Sequence, residues 1–139
     1  MIRVTVYNEG LHEKTSDSVR AVYPEGIHGA LKKGLESDEI SVRTVTLDDL
    51  PDGLSQQVLD ETDVLIWWGH MAHHKVLDEV AMRVKNRVLD GMGFIALHSA
   101  HASKPFRLLM GTHTETLRWR ENDELQRYWV VAPGHPIVA

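Results

Sequence analysis

Two short apolar runs constrain the fold more than any other feature of this sequence. Thr62–Gly69 holds the uninterrupted stretch Val64-Leu-Ile-Trp-Trp68 between Asp63 and Gly69, and Gly93–Leu97 reads Gly-Phe-Ile-Ala-Leu. Neither run alternates, so neither suits a strand with one face in water. Short runs of this kind, bounded by turn residues, fit strands buried on both faces, the usual state inside a parallel sheet covered by helices. The intervening sequence supplies the other elements. Ile2–Tyr7 alternates as a first strand and leads into a polar loop over Asn8–Asp17. A helix follows over Glu25–Leu35, with Ile27, Leu31 and Leu35 on one face and Pro24 at its first turn. Ile40–Leu47 reads as the second strand, Leu54–Leu59 as a short helical stretch. Val76, Val80, Val84 and Val88 recur every four residues up to Asp90-Gly91, an amphipathic helix with a glycine stop. A small-residue helix start is expected at Ser99–Ser103. Strand and helix alternating in this way predict a parallel α/β sheet. Thr114–Arg120 and Leu125–Val131 read differently, as a β-hairpin.

Composition then removes whole classes of chemistry. Among 139 residues there are nine histidines and no cysteine, so disulfides, thiolate metal sites and a cysteine nucleophile are excluded. A net charge of −5 with no basic patch argues against a nucleic-acid partner. The longest apolar run is far short of the roughly 20 residues of a membrane span, and the amino terminus lacks the plan of a signal peptide. The expectation is a cytoplasmic protein without a membrane partner. The chain stops in apolar residues at Ala139, which reads as a domain cut short.

Ligands of an open parallel sheet bind beyond the carboxyl ends of its strands, near the point where strand order reverses. The loops there carry Glu9, His12 and Glu13; His70, His73 and His74; and His98, Ser99 and His101. Six of the nine histidines thus fall on one predicted edge. His70 and His73, like His98 and His101, are three apart and share a face if each opens a helical turn. With a carboxylate such as Glu9 or Glu13, His70, His73 and His101 can hold a divalent metal such as Zn²⁺. No HExxH or comparable motif marks such a site, and surface histidines after strands are the plainer alternative. The same imidazoles suit metal-free acid–base work near neutral pH.

His98 stands where an apolar strand breaks into a helix, a geometry like a nucleophile elbow, with backbone N–H groups at hand for a developing oxyanion. Its alternative role is a capping or hydrogen-bonded core residue. Leu97-His-Ser-Ala-His101 departs from Gly-x-Ser-x-Gly, so Ser99 reads better as a helix N-cap than as a nucleophile. Trp67 and Trp68 point to opposite faces of a strand, so at most one can stack on a sugar ring. Arg118 and Arg120 read as a solvated face rather than an anion clamp.

Several longer segments carry a family resemblance. Thr62–His73, Gly91–His101, Leu109-Met-Gly-Thr112, Trp119-Arg-Glu121 and Pro133-Gly-His-Pro-Ile137 together resemble the trehalose-utilisation (ThuA-like) family, with support from Asn8-Glu9, His12-Glu-Lys14 and Tyr23–His28. The family is similar in fold to class I glutamine amidotransferases, which implies a flavodoxin-like, doubly wound, mainly parallel sheet. In those relatives the elbow carries a catalytic cysteine. The matching pattern Phe94-Ile-Ala-Leu-His98 puts histidine there, so glutamine hydrolysis through a thioester is excluded. The resemblance implies instead a part in breaking down trehalose and related disaccharides, on a sugar or keto-sugar. Members usually continue for roughly a further hundred residues, within ordinary single-domain size, so residues 1–139 are expected to form one domain truncated at its carboxyl end.

The functional expectation is a carbohydrate-metabolising enzyme in which His98, with His12 and Glu9 or Glu13, moves protons next to a carbonyl or glycosidic carbon, a divalent metal at His70, His73 and His101 being an optional aid. A non-catalytic sugar-binding or assembly module that has lost the amidotransferase nucleophile is the alternative. Trp119, Trp129 and the apolar terminus favour a homo-oligomer.

Overall fold

The computed structural model describes residues 1–114, 117, 122–125 and 127–138. Four strands, β1 (Ile2–Asn8), β2 (Ile40–Thr46), β3 (Val64–Trp68) and β4 (Gly93–Ala96), form an all-parallel sheet in the order β2-β1-β3-β4. The helices are α1 (His12–Thr15), α2 (Asp17–Val22), α3 (Gly26–Leu35), α4 (Gln56–Asp60), α5 (Asp78–Leu89) and α6 (Lys104–Met110). Alternation of side chains along the strands divides the core in two. Tyr7, Val45, Leu65 and Trp67 point to one face and pack with Leu54, Leu59, Val76, Val80 and Val84, while Val4, Val6, Val42 and Ile66 point to the other and meet Leu31 and Leu35 of α3. This is the parallel α/β arrangement expected from the apolar runs, and it is consistent with the flavodoxin-like sheet that the family resemblance implies.

Three elements depart from the expectation. Asn8–Asp17 is not a plain loop, because it holds α1 and the start of α2, whose N-cap Ser16 accepts from the Val19 N–H at 3.5 Å. Helices of four and six residues are too short to print a 3.6-residue period. Second, β4 is the outermost strand of the described sheet rather than an interior one, and Ile95 is 48% exposed. Third, the expected hairpin lies partly outside the described residues. Its described residues, 114, 117, 122–125 and 127–131, belong to no strand, and with Leu125 at 79% and Trp129 at 82% exposed the second arm has no buried face to define a register. No helix among the described residues is long and apolar enough to cross a membrane.

β1 and β3 are pinned at their amino ends by a pairing of opposite charges. The Arg3 backbone N–H and Nε donate to Asp63 Oδ2 at 2.8 and 3.1 Å, and Nη2 donates to Oδ1 at 2.7 Å. These bonds to the Arg3 side chain and backbone hold the Asp63 carboxyl down at about 2. A carboxyl with a depressed folded-state pKa stabilises the fold above its unfolded value of 3.8 and loses that contribution as pH falls towards about 2. Asp63→Asn is therefore expected to melt below wild type at neutral pH, with the gap closing over that acid interval in a series of thermal melts. The uneven covering of the sheet gives a second expectation. Leu65, fully buried, should lose roughly 2–5 kcal/mol on change to alanine, whereas Ile95→Ala should lose about 1 kcal/mol or less in urea unfolding.

Candidate active site

The sheet order reverses between β1 and β3, and the chain segments leaving β1, β3 and β4 on that side bring most of the edge histidines together. Their placement begins with a carboxylate. Glu9, the residue after β1, is only 2% exposed. Its Oε1 accepts the Met71 N–H at 2.6 Å and its Oε2 the Ala72 N–H at 2.9 Å. The side chain thus ties the loop after β3 to the tip of β1. Gly69 lets the loop fold this closely, since a Cβ there would stand 3.2 Å from the His73 ring.

The loop so held turns His70 outward and His73 partly inward. The His12 ring stacks on His70 at a centroid distance of 5.1 Å and on Trp68 at 6.2 Å, with interplanar angles of 21° and 15°. Trp68 is half-buried, while Trp67 lies in the core against Tyr7 with ring centroids 4.0 Å apart. One of the two tryptophans therefore lines the edge, as opposite strand faces require. Burial pushes the His73 imidazole below its ordinary value, His101 and His70 act in the same direction, and Glu9 opposes them. The balance favours the neutral His73 ring.

The β4 end of the site is strained. His98 adopts φ 36°, a left-handed conformation unusual for a side chain other than glycine. Such a residue costs on the order of 1–3 kcal/mol and persists only where its surroundings enforce it. Here the chain leaves β4 and turns at once into a 3₁₀ turn over His98–Ala102. The turn exposes His98 and buries Ser99 beneath it. Ser99 Oγ lies 3.0 Å from His98 Nδ1 and 3.0 Å from His70 Nδ1. Ser99 is thus no N-cap. That role belongs to Ser103, whose Oγ accepts from the Phe106 N–H at 3.4 Å at the start of α6. His101 Nδ1 lies 3.1 Å from the His98 carbonyl, which can only accept, so His101 donates there from Nδ1.

Glu13 goes elsewhere. Consecutive residues of a helix point about 100° apart, so in α1 His12 turns to Trp68 of β3 and Glu13 to Asn8 of β1 and His28 of α3. Glu13 Oε1 accepts from Asn8 Nδ2 at 2.6 Å, and the same amide nitrogen lies 2.7 Å from His28 Nδ1. Gly26, at φ +74°, leaves room for the carboxylate, because a Cβ there would come within 2.5 Å of Glu13 Oε1. Glu13 Oε2 is buried without a hydrogen-bond partner. This second group borders a cavity of about 350 Å³ lined by Gly10, Lys14, Thr46 and Gly26. Asn8 and His28 were not singled out from sequence. Both fall within segments of the family resemblance, Asn8-Glu9 and Tyr23–His28, but only the packing of α3 beside β1 brings them to Glu13.

His70, His73 and His101 share the edge without converging. Two of them have Nδ1 turned to Ser99 or a backbone carbonyl, and no group of three His, Asp or Glu side chains among the described residues is arranged to hold a metal ion. His74 is exposed. A separate cavity of about 650 Å³ between α5 and α6, bordered by Met82, Lys104, Arg107 and Leu108, contains none of the edge histidines. The edge thus groups the Trp68 and His12 rings with the imidazoles of His70 and His98.

In comparison with known protein families, residues 3–139 match the family model ThuA, described as trehalose utilisation. No curated protein matches the chain.

The geometry of Glu9 sets a test of what assembles the edge. Glu9→Gln would place an amide donor against a backbone N–H, removing one bond and leaving that donor buried, at a cost of roughly 1–3 kcal/mol. The expected result is a lower melting temperature together with loss of hydrogen-exchange protection at Met71 and Ala72, while the β2 amides stay protected.

Proposed function

The chain belongs to the trehalose-utilisation family, and we propose that it acts on a disaccharide, or on its keto form, by moving a proton between adjacent atoms through the imidazoles of His98 and His70. The observation that carries this reading is the pair of exposed rings at the carboxyl end of the sheet, both anchored through Nδ1 to the buried Ser99 hydroxyl. Anchoring through Nδ1 leaves each Nε2 free to meet a substrate. The Trp68 and His12 rings supply an apolar, polarisable wall of the kind on which a sugar face rests.

The chemistry follows from the carbonyl. In a keto-sugar the C–H bond next to the C=O is the acidic one. One imidazole Nε2 accepts that proton while the other delivers a proton to the carbonyl oxygen, giving a neutral enediol. Return of a proton to the neighbouring carbon and release of one from the neighbouring oxygen complete the exchange. No cysteine is needed, and the chain has none. Glu9 contributes through the loop it holds, since both its oxygens are already engaged by backbone donors. His12 contributes by stacking. Glu13, turned to Asn8 and His28, lies outside this proton path.

A positioned acid or base contributes roughly 10²–10⁴-fold to such a step. Incubation of the protein with 3-keto-trehalose in D₂O is therefore expected to incorporate deuterium at the carbon next to the carbonyl, and His98→Gln to slow incorporation by that factor. Saturable binding with no incorporation by either protein would favour a sugar-binding module instead. Incorporation at equal rates by both would remove His98 from the reaction.

A further inference from the structure

The two 3.0 Å contacts to Ser99 Oγ impose a condition that neither histidine carries alone. A serine hydroxyl has one hydrogen and two lone pairs, and a neutral imidazole Nδ1 either carries a hydrogen or presents a lone pair. If both Nδ1 atoms presented lone pairs, one would face Ser99 oxygen with no hydrogen between them. If both carried hydrogens, the Ser99 hydrogen, 8% exposed as a residue, would have no acceptor among these contacts. A buried polar hydrogen left unmatched is unfavourable. Only one arrangement satisfies all three groups, in which Ser99 donates to one ring and accepts from the other.

We propose that Ser99 is a positioning residue that holds His70 and His98 in opposite tautomers and links them as a proton relay. The ring that receives the Ser99 hydrogen at Nδ1 carries its own proton on Nε2 and faces the substrate as an acid. Its partner donates from Nδ1 and faces the substrate with a bare Nε2, as a base. When that base takes a proton at Nε2, its Nδ1 proton passes to Ser99 Oγ. The Ser99 proton passes to Nδ1 of the other ring, and the Nε2 proton of that ring leaves to the substrate. One N–H bond forms at the first Nε2 and one breaks at the second. No charge accumulates on either ring, and the two have exchanged roles. The relay thus supplies a base and an acid in the same step and is left poised for the reverse one. That is the requirement of an isomerisation between adjacent carbons, rather than of a hydrolysis, which must also activate water. The choice of isomerisation rests on the keto-sugar reading given above, but the tautomer pairing does not.

Imidazole ¹⁵N spectra of the chelator-treated protein read the pairing directly, with His70→Gln and His98→Gln variants to assign the two rings. Wild type is expected to show one ring protonated on Nδ1 and the other on Nε2. Ser99→Ala should lose that opposition, both rings moving towards one common tautomer mixture, and Ser99→Thr, which keeps a hydroxyl, should restore it. Amide spectra of the β1 and β3 residues serve as the control for folding. If Ser99→Ala fails to fold, wild type and Ser99→Thr still decide. The same tautomer on both rings of the wild type, or an unchanged pair in a folded Ser99→Ala, would overturn the proposal. Opposite tautomers in a protein that exchanges no deuterium into a keto-sugar would uphold the pairing and defeat the functional reading, so the two failures are separable.

Discussion

The edge of this sheet depends on one buried carboxylate. Glu9 leaves the end of the central strand and accepts two backbone N–H groups from the loop beyond β3. A carboxylate so placed can be buried because charged acceptors form short, strong bonds to backbone donors. The loop after β3 takes its position from that pairing. The loop it fixes carries His70 to Ser99, Ser99 reaches His98, and His98 holds its strained φ above the turn. At the opposite end of the same two strands, Asp63 and Arg3 make the corresponding pairing. β1 and β3 are thus tied together at both ends.

Several groups on this edge are costly to the fold. His98 occupies the left-handed region, Glu13 Oε2 is buried without a partner, and the Tyr7 hydroxyl and Trp67 Nε1 are buried and unmatched behind it. Burial pushes the Tyr7 phenol above its ordinary value, and the Glu9 charge adds to the effect. Strain and unmatched polar groups gather at functional sites, where geometry is held by the surrounding structure at the expense of stability.

Much of this was legible in the sequence. The runs at Val64–Trp68 and Gly93–Ala96 pointed to the parallel sheet, although only β3 is covered on both faces as an unbroken apolar run requires, β4 leaving Ile95 exposed. The carboxyl-edge rule then placed Glu9, His70 and His98 correctly. What escaped had no periodic signal. α1 and α2 are too short for a repeat, and Ser99 looked like a cap because serine favours that role locally, whereas a contact to His70 twenty-nine residues away decides it. The divergence of His12 from Glu13 depends on their falling in a helix, α1, that has no periodic signal, and His28 reaches Asn8 only through packing between elements. The sequence could identify β4 as apolar but not as outermost, since that depends on which strands pair.

The central claim is that the molecule's chemistry belongs to the edge formed by Trp68, His12, His70 and His98. Titration of isotopically labelled protein with trehalose and with its keto form, followed by chemical-shift mapping, addresses it most directly. The account predicts saturable changes centred on the Trp68 indole, Gly69 and the His12, His70 and His98 rings. Saturable changes centred on Met82, Arg107 and Leu108 between α5 and α6, or no saturable change with either sugar, would contradict it.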